Sequence, residues 1–171
     1  MRKKPESKKL TLAAMFLAMA LLMPFLTGQI PQVGSMLCPM HIPVMLCGFF
    51  CGGSWGLVVG FVAPLLRSAM FGMPPMFPVA ICMAFELAVY GLVAGVLYSK
   101  LPKWKGAVYV SLLGAMILGR VVWGIAMKVC VGAQFGMAAF MSGAVVTAIP
   151  GIVLQLIVIP VVVITLEKYT K

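Results

Sequence analysis

Long apolar runs, interrupted by short clusters of glycine, proline and basic residues, make up most of the 171-residue chain. A run of about 20 apolar residues is long enough for a helix to cross the hydrocarbon core of a membrane. We predict six membrane spans, over about 10–27, 41–51, 55–71, 79–98, 107–130 and 138–166. The second span is short, and residues 41–71 could instead form one re-entrant unit. Pro150 and Pro160 fall inside the last predicted span, where we expect them to kink the helix.

Composition narrows the class of protein further. Hydrophobic residues make up 63% of the chain and charged residues only 9%, and the mean hydropathy is +1.14. A soluble domain of this size needs more polar side chains to cover its surface. We therefore exclude a soluble enzyme, a nucleic-acid-binding module and a disordered chain. We expect an all-α membrane protein, with residues 1–171 forming a single integral membrane domain and residues 1–9 forming its basic tail.

The positions of the basic residues predict the topology. Five lie within the first nine positions, three lie between Lys100 and Lys105, and Lys168 and Lys171 lie near the end. Positive charge accumulates on the cytoplasmic side of membrane proteins. Six spans with both termini in the cytoplasm place ten of the thirteen basic residues inside and at most Lys128 in an outer connection. We expect a multi-pass protein of the bacterial plasma (inner) membrane, and we interpret the net charge of +10 as a topology signal.

Few ionisable side chains fall within the predicted spans, and they are His41, Arg67, Glu86 and Arg120. Such groups are costly in a membrane and mark functional sites by default. In the predicted orientation all four lie in the middle or outer half, which indicates a polar pocket open to the outside. Glu86 could simply form a structural ion pair with either arginine. Because one carboxylate cannot neutralise two guanidinium groups, the spare cation favours an anionic ligand group.

Aromatic residues at a similar depth could pack against a ring or an apolar part of the ligand. These residues are Phe77, Tyr90, Trp123 and Phe135. We include Tyr90 and Trp123 with the four ionisable residues as candidate substrate-binding residues, and we regard Gln134 and Gln155 as weaker candidates. Packing in the core, or a place in the aromatic belt at the membrane interface, is the alternative for each aromatic residue.

We expect no catalytic residues, no metal and no cofactor. The five cysteines and fifteen methionines do not repeat a metal-binding spacing, and apolar cysteine is an ordinary small core residue. A hydrolase would have to combine Ser68 or Ser142 with His41, the single histidine of the chain. No GxxxxGK[ST] loop for binding ATP phosphates occurs in the sequence.

The first predicted span carries Ala14 and Ala18 four residues apart, on one face of the helix. Small residues at this spacing allow another helix to approach closely, either within the bundle or from a partner. Ala13 and Ala20 extend the small surface.

An ordered series of residues between positions 40 and 95 forms a recognisable pattern. The series is Met40-His41-Ile42-Pro43-Val44, Gly48, Gly52, Trp55-Gly56, Gly60, Ala63-Pro64-Leu65-Leu66-Arg67, Gly72-Met73-Pro74-Pro75 and Phe85-Glu86-Leu87-Ala88-Val89-Tyr90-Gly91. With the chain length and the basic N-terminus, this series resembles the substrate-binding S component of the energy-coupling factor (ECF) transporters.

The resemblance implies a six-helix protein that captures a vitamin or related micronutrient near its outer face, with the loops 28–40 and 72–78 closing over it. It also implies a transmembrane coupling subunit and two cytosolic ATPases as partners. The helix 1 docking motif of the family, Ala-x-x-x-Ala, matches Ala14 and Ala18.

The residues do not determine which ligand is bound. We favour an anionic vitamin such as pantothenate, because two arginines and Lys128 suit an acid. A neutral pyridoxine- or pyrimidine-type ligand could use Glu86 and His41 instead. The alternative function is a stand-alone secondary permease, proton-coupled through Glu86 or His41.

Overall fold

The structure is a computed structural model that describes residues 5–27, 36–102 and 104–169. Parts of the predicted basic tail (1–4) and outer loop (28–35), together with Lys103 and residues 170–171, lie outside the described residues. Within the described ranges the regular elements are all helical, with seven α-helices. They are α1 Glu6–Leu22, α2 His41–Cys51, α3 Gly53–Phe71, α4 Ile81–Lys100, α5 Lys105–Val131, α6 Met137–Met141 and α7 Ile149–Tyr169.

Short irregular helices flank several of these elements. A 3-10 helix, Met23–Thr27, continues α1, and a second one, Gly132–Gln134, follows α5. Two π-helical turns, Met76–Ala80 and Ser142–Val146, precede α4 and follow α6.

Five stretches of the described residues are long and apolar enough to cross a membrane: Glu6–Phe25, Gly53–Phe71, Met76–Lys100, Gly106–Gln134 and Ile149–Leu166. The segment predicted as one span over 138–166 differs from that expectation. It consists of the short helix α6, a π-helical turn and then α7. Pro150 occupies the first turn of α7, where a missing N–H group costs nothing, so this proline begins a helix instead of kinking one.

Helix α2, the second predicted span, has only 11 residues, which is about 16 Å of helix. Ten of its residues are buried, from His41 at its start to Cys51 at its end. A helix that is apolar all round has to be enclosed by other elements. Helices α1, α3, α4 and α7 supply the enclosure, and α4 also packs against α3 and α5. The core of the bundle therefore lies around α2 and α4.

Glycines bring the backbones of α2, α3 and α4 into direct contact. A Cβ atom on Gly56 would lie 2.5 Å from the carbonyl oxygen of Gly91, and one on Gly60 would collide with the carbonyl oxygen of Leu87. These pairs show that α3 and α4 run antiparallel. A Cβ atom on Gly48 of α2 would collide with the same Gly91 carbonyl. Small residues permit this close packing of membrane helices, which accounts for Gly48, Gly56, Gly60 and Gly91 of the sequence series.

Two further glycines of the series shape the turns. Gly52, with φ of 97°, joins α2 to α3, and Gly72, with φ of 69°, ends α3 in the left-handed conformation that favours glycine. We call the end of the bundle where α3 ends and α4 begins the top.

Replacing Gly91 by alanine is expected to lower the free energy of unfolding by about 1–3 kcal/mol, because the new methyl group would overlap the backbone of Gly56. The measurement is the thermal unfolding midpoint of the purified protein in detergent. The matched control is Gly114→Ala on α5, whose Cβ would meet only the Cδ1 atom of Leu97, at 2.8 Å. The control is expected to be neutral or stabilising by up to about 1 kcal/mol. Equal effects of the two substitutions would contradict close backbone packing at Gly91.

Helix α1 is attached along α3 at both ends. The indole Nε1 of Trp55 donates to Oε2 of Glu6 at 3.4 Å near the start of both helices. Near their other ends, the guanidinium of Arg67 donates to the carbonyl oxygen of Leu21. Helices α1 and α3 therefore run parallel, and both end at the top of the bundle.

Candidate functional site

Three helices bring ionisable side chains together in the upper half of the bundle. Nη1 of Arg120 on α5 lies 3.1 Å from Oε1 of Glu86 on α4. Nε2 of His41, the first residue of α2, lies 3.5 Å from the same oxygen. The side chains of His41 and Glu86 are 2% exposed and that of Arg120 is 15% exposed. We call His41, Glu86 and Arg120 the polar cluster.

Local sequence features explain how the helices deliver these side chains. Helix α4 starts after the proline-rich turn at 74–78, so Glu86 comes in its second turn. Tyr90 follows one turn later on the same face and is 1% exposed. Its ring meets the imidazole of His41 edge to face, with centroids 5.0 Å apart. Gly119 lets α5 approach, since a Cβ atom there would lie 2.9 Å from Cε2 of Tyr90. This close approach positions Arg120 beside Glu86.

The segment that leads into α2 covers the polar cluster from above. Nη2 of Arg120 lies 3.8 Å from Sγ of Cys38 and donates a weak hydrogen bond to it. Gly151 in the first turn of α7 packs on the same segment, and a Cβ atom there would lie 2.6 Å from the carbonyl oxygen of Met36. Cys38 has a φ of 47°, a left-handed conformation that is uncommon for a residue other than glycine. Burial raises the pKa of the Cys38 thiol, so this group adds no charge to the cluster.

Several buried polar atoms of the cluster have no hydrogen-bond partner within the described residues. They are Nδ1 and Nε2 of His41, Oε1 of Glu86 and Nε of Arg120. Outside the cluster, Oγ of Ser111 and Nε2 of Gln155 share this property. Buried polar groups are normally hydrogen-bonded, because an unpaired one costs free energy. Four such atoms in one cluster can pair with the polar groups of a small molecule.

The structure places Arg67 away from the polar cluster. Its Nη1 donates to the carbonyl oxygen of Leu21 at 2.5 Å. Its Cζ atom lies 5.0 Å from the ring centroid of Phe25 and 5.4 Å from that of Phe71. Arg67 is 3% exposed, and its hydrogen bond to the end of α1 is partly buried. Of the two arginines considered for Glu86, the structure pairs Arg120 with it.

Arg67→Gln is expected to destabilise the protein by about 1–3 kcal/mol, because it removes a charged hydrogen bond and contacts with two rings. We expect ligand affinity to stay unchanged, since Arg67 contacts no member of the polar cluster in the described part of the structure. The measurements are the thermal unfolding midpoint and the dissociation constant of the ligand on the same preparation. Arg67→Lys, which keeps the charge but loses the planar fork, serves as the comparison. Loss of affinity with unchanged stability would return Arg67 to the binding site.

The other candidate residues are distributed over the top of the bundle. Trp123 lies one turn beyond Arg120 on α5, and its ring packs against Phe135 and Phe140, with centroids 5.6 and 6.3 Å away. Nζ of Lys128 donates to the carbonyl oxygen of Phe135 at 3.2 Å. A shallow cavity of about 270 Å³ lies there, lined by Gly124, Lys128, Phe135, Gly136, Met137 and Phe140.

Of the remaining candidates, Phe77 is 62% exposed and Gln134 is exposed, whereas Gln155 on α7 is buried. Among the described residues, no group of three or more His, Cys, Asp or Glu side chains is arranged to hold a metal ion.

Helix α1 presents its alanines on two different faces. Ala14 and Ala18 are exposed, whereas Ala13 and Ala20 are buried against the bundle with Phe16. The sequence interpretation grouped Ala13 and Ala20 with the exposed pair, and the structure separates them. Ala14 and Ala18 therefore form a small-residue surface that residues 5–27, 36–102 and 104–169 leave uncovered. We call Ala14 and Ala18 the alanine surface.

Sequence reasoning did not identify Gly119 or the covering segment around Cys38 as parts of the site. A glycine directly before an intramembrane arginine is a local signal for close helix approach, but many glycines of this chain have the same appearance in the sequence. The place of Cys38 depends on how residues 36–40 pack on α5 and α7, which no local pattern records.

Comparison with known proteins gives one family. A family model described as "ECF transporter, substrate-specific component" matches residues 8–163, nearly the whole chain. No curated protein and no solved structure matches the chain.

Proposed function

We propose, because the chain belongs to the family of ECF transporter substrate-specific components, that it captures a vitamin or related micronutrient outside the cell and passes it to partner subunits for ATP-driven import. The observation that carries this proposal is the polar cluster, in which ionisable side chains of three helices converge and four of their buried atoms make no hydrogen bond within the described residues. Intramembrane ionisable groups are expensive, and substrate binding gives them a function.

The proposed topology has six crossings, with both termini in the cytoplasm and the top of the bundle outside. The parallel arrangement of α1 and α3 supports this count, since the chain has to return between them, and α2 lies in that position. The basic residues at both ends and at 100–105 then lie inside, as the distribution of positive charge in membrane proteins favours. The polar cluster and its covering segment lie toward the outer face.

In the proposed cycle, residues 36–40 move aside to admit the ligand and close again over the polar cluster. His41 and Glu86 lie near the first residues of their helices, and both helices begin at the top. The ligand therefore reaches them from the top without crossing the bundle. The contact between Arg120 and Cys38 is long for a hydrogen bond, and little free energy is lost when it opens. A partner that binds the form with the displaced segment would favour release, by its differential affinity for the two forms.

The test combines purification and reconstitution of the full chain. We expect the protein to co-purify with a transmembrane coupling subunit and two cytosolic ATPases, and to support uptake into liposomes only with these partners and ATP. The uptake probe is the small molecule that mass spectrometry finds retained on the purified chain. Accumulation by the chain alone, driven by a proton gradient, would overturn the proposal in favour of a permease coupled through Glu86 or His41.

A further inference from the structure

We infer that the ligand carries no net charge and that it binds the polar cluster through a hydrogen-bond donor placed beside an acceptor. This inference rests on the proposed function, because it concerns the ligand of the same site. It differs from the anionic ligand that the number of arginines in the sequence favours, and the difference arises from where the structure places the cations.

The permanent charges near the site can be accounted for completely, whereas His41 adds a charge only when it is protonated. Outside residues 1–9, 100–105 and 167–171, the sequence contains four charged side chains, Arg67, Glu86, Arg120 and Lys128. All four are within the described residues. Glu86 and Arg120 lie 3.1 Å apart and neutralise each other. Residues 28–35, which precede the covering segment, include no charged residue in the sequence.

Arg67 does not supply a spare cation to the polar cluster. The glycine contacts between α3 and α4 place Glu86 at the level of Phe61, and the rings of Phe61 and Phe85 are 5.6 Å apart. Arg67 lies six residues beyond Phe61, which is about 9 Å along the helix axis. Its guanidinium is bound to the carbonyl oxygen of Leu21 on α1, a helix that packs against α2 and α3.

Lys128 does not supply a spare cation either. It follows Arg120 by eight residues on α5, about 12 Å along the axis. Its ammonium group is engaged with the carbonyl oxygen of Phe135. A carboxylate or phosphate on the ligand would therefore compete with Glu86 for Arg120, and the described residues offer no second permanent cation to compensate the added negative charge. Burying an unpaired charge is strongly unfavourable, so an anionic ligand fits this site poorly.

The unpaired atoms describe the ligand that does fit. Oε1 of Glu86 accepts hydrogen bonds, and Nε of Arg120 donates one. The two ring nitrogens of His41 add one donor and one acceptor when the imidazole is neutral, and two donors when it is protonated. The ring of Tyr90, which meets the imidazole of His41, adds an apolar surface. An uncharged heterocycle that presents a donor next to an acceptor, such as a hydroxy- or amino-substituted pyridine or pyrimidine, complements this set.

The first experiment identifies by mass spectrometry the small molecule retained on the purified full-length protein. It also measures thermal stabilisation by pyridoxine and 4-amino-2-methylpyrimidine, with pantothenate as the anionic probe. We expect an uncharged retained molecule and stabilisation by at least one uncharged probe. A retained anion, stabilisation by pantothenate alone, or no stabilisation by either uncharged probe overturns the inference.

The second experiment measures whether replacing Glu86 weakens or strengthens ligand binding. Glu86→Gln removes the carboxylate that accepts from an uncharged ligand, so the dissociation constant of the stabilising probe, pyridoxine or 4-amino-2-methylpyrimidine, is expected to rise by about tenfold or more. An anionic ligand would instead bind more tightly, because a competing negative charge is lost. The matched control is Glu6→Gln at the exposed start of α1, which should leave affinity unchanged. Tighter binding to Glu86→Gln overturns the inference, and the retained-molecule measurement on the unmodified protein decides the matter if this variant does not fold.

These outcomes separate the inference from the function on which it rests. An anion that is bound tightly and imported only with partners and ATP would overturn the neutral-ligand inference and leave the proposed function intact. Uptake by the chain alone would remove the proposed function whatever the charge of the ligand.

Discussion

Tryptophan in place of Ala14 or Ala18 is expected to abolish uptake while the purified chain binds its ligand with unchanged affinity. Both alanines are exposed on α1, on a face that the described part of the chain leaves uncovered. Close approach of another helix requires small side chains, and an indole at either position holds the helices apart. The polar cluster lies on α2, α4 and α5, so binding has no reason to change. The measurements are partner-dependent uptake into liposomes and the dissociation constant of the ligand.

Two controls make this result specific to the alanine surface. Ile157→Trp on α7 changes a side chain that is 60% exposed, and uptake should persist. Ala13→Trp replaces a buried neighbour and should lower stability and binding together, as ordinary damage to packing does. The docking hypothesis fails if Ala14→Trp also loses binding, or if Ile157→Trp stops uptake equally well.

Arg120→Leu is expected to have the largest effect on the folded protein, a loss of about 3–5 kcal/mol in the free energy of unfolding, because it leaves the Glu86 carboxylate buried without its partner. Ligand binding should fall below detection in the same variant. The measurements are the unfolding midpoint in detergent and the ligand retained after purification.

The double variant Glu86→Leu with Arg120→Leu distinguishes the two contributions of this ion pair. Replacing both partners of a buried pair by apolar side chains is often neutral for stability. We therefore expect stability to recover toward that of the unmodified protein while ligand binding stays lost. Recovery of binding in the double variant would show that the ion pair serves packing alone and that the site lies elsewhere.

The ionisable residues show how much of the candidate site can be predicted from the sequence. His41, Glu86 and Arg120 can be identified from the sequence, because a charged or titratable side chain in an apolar run stands out against its neighbours. Arg67 has the same appearance in the sequence, yet its guanidinium binds the end of α1. The two arginines differ in the groups that they contact after folding. Arg120 lies beside the carboxylate of Glu86, and Arg67 lies beside the carbonyl oxygen of Leu21.

The lengths of the helices likewise separate what the sequence predicts from what only the folded structure shows. Hydropathy predicted α1, α3, α4 and α5 as membrane-length helices, since about 20 apolar residues in sequence are a sufficient condition for that length. It did not reveal the π-helical turn that separates α6 from α7, because apolar residues continue through it. It also did not show that α2 is enclosed by four helices, since apolar side chains suit lipid and protein interiors equally well.

The residues alone establish a helical, membrane-embedded chain of the ECF substrate-specific component family, because apolar length, scarce charge and the ordered glycine and proline series are properties of the chain itself. The partner of Glu86, the orientation of each alanine on α1 and the cover formed by residues 36–40 emerge only when the helices pack. These features depend on the rotation and separation of helices, which backbone contacts at Gly56, Gly91 and Gly119 set across segments far apart in sequence.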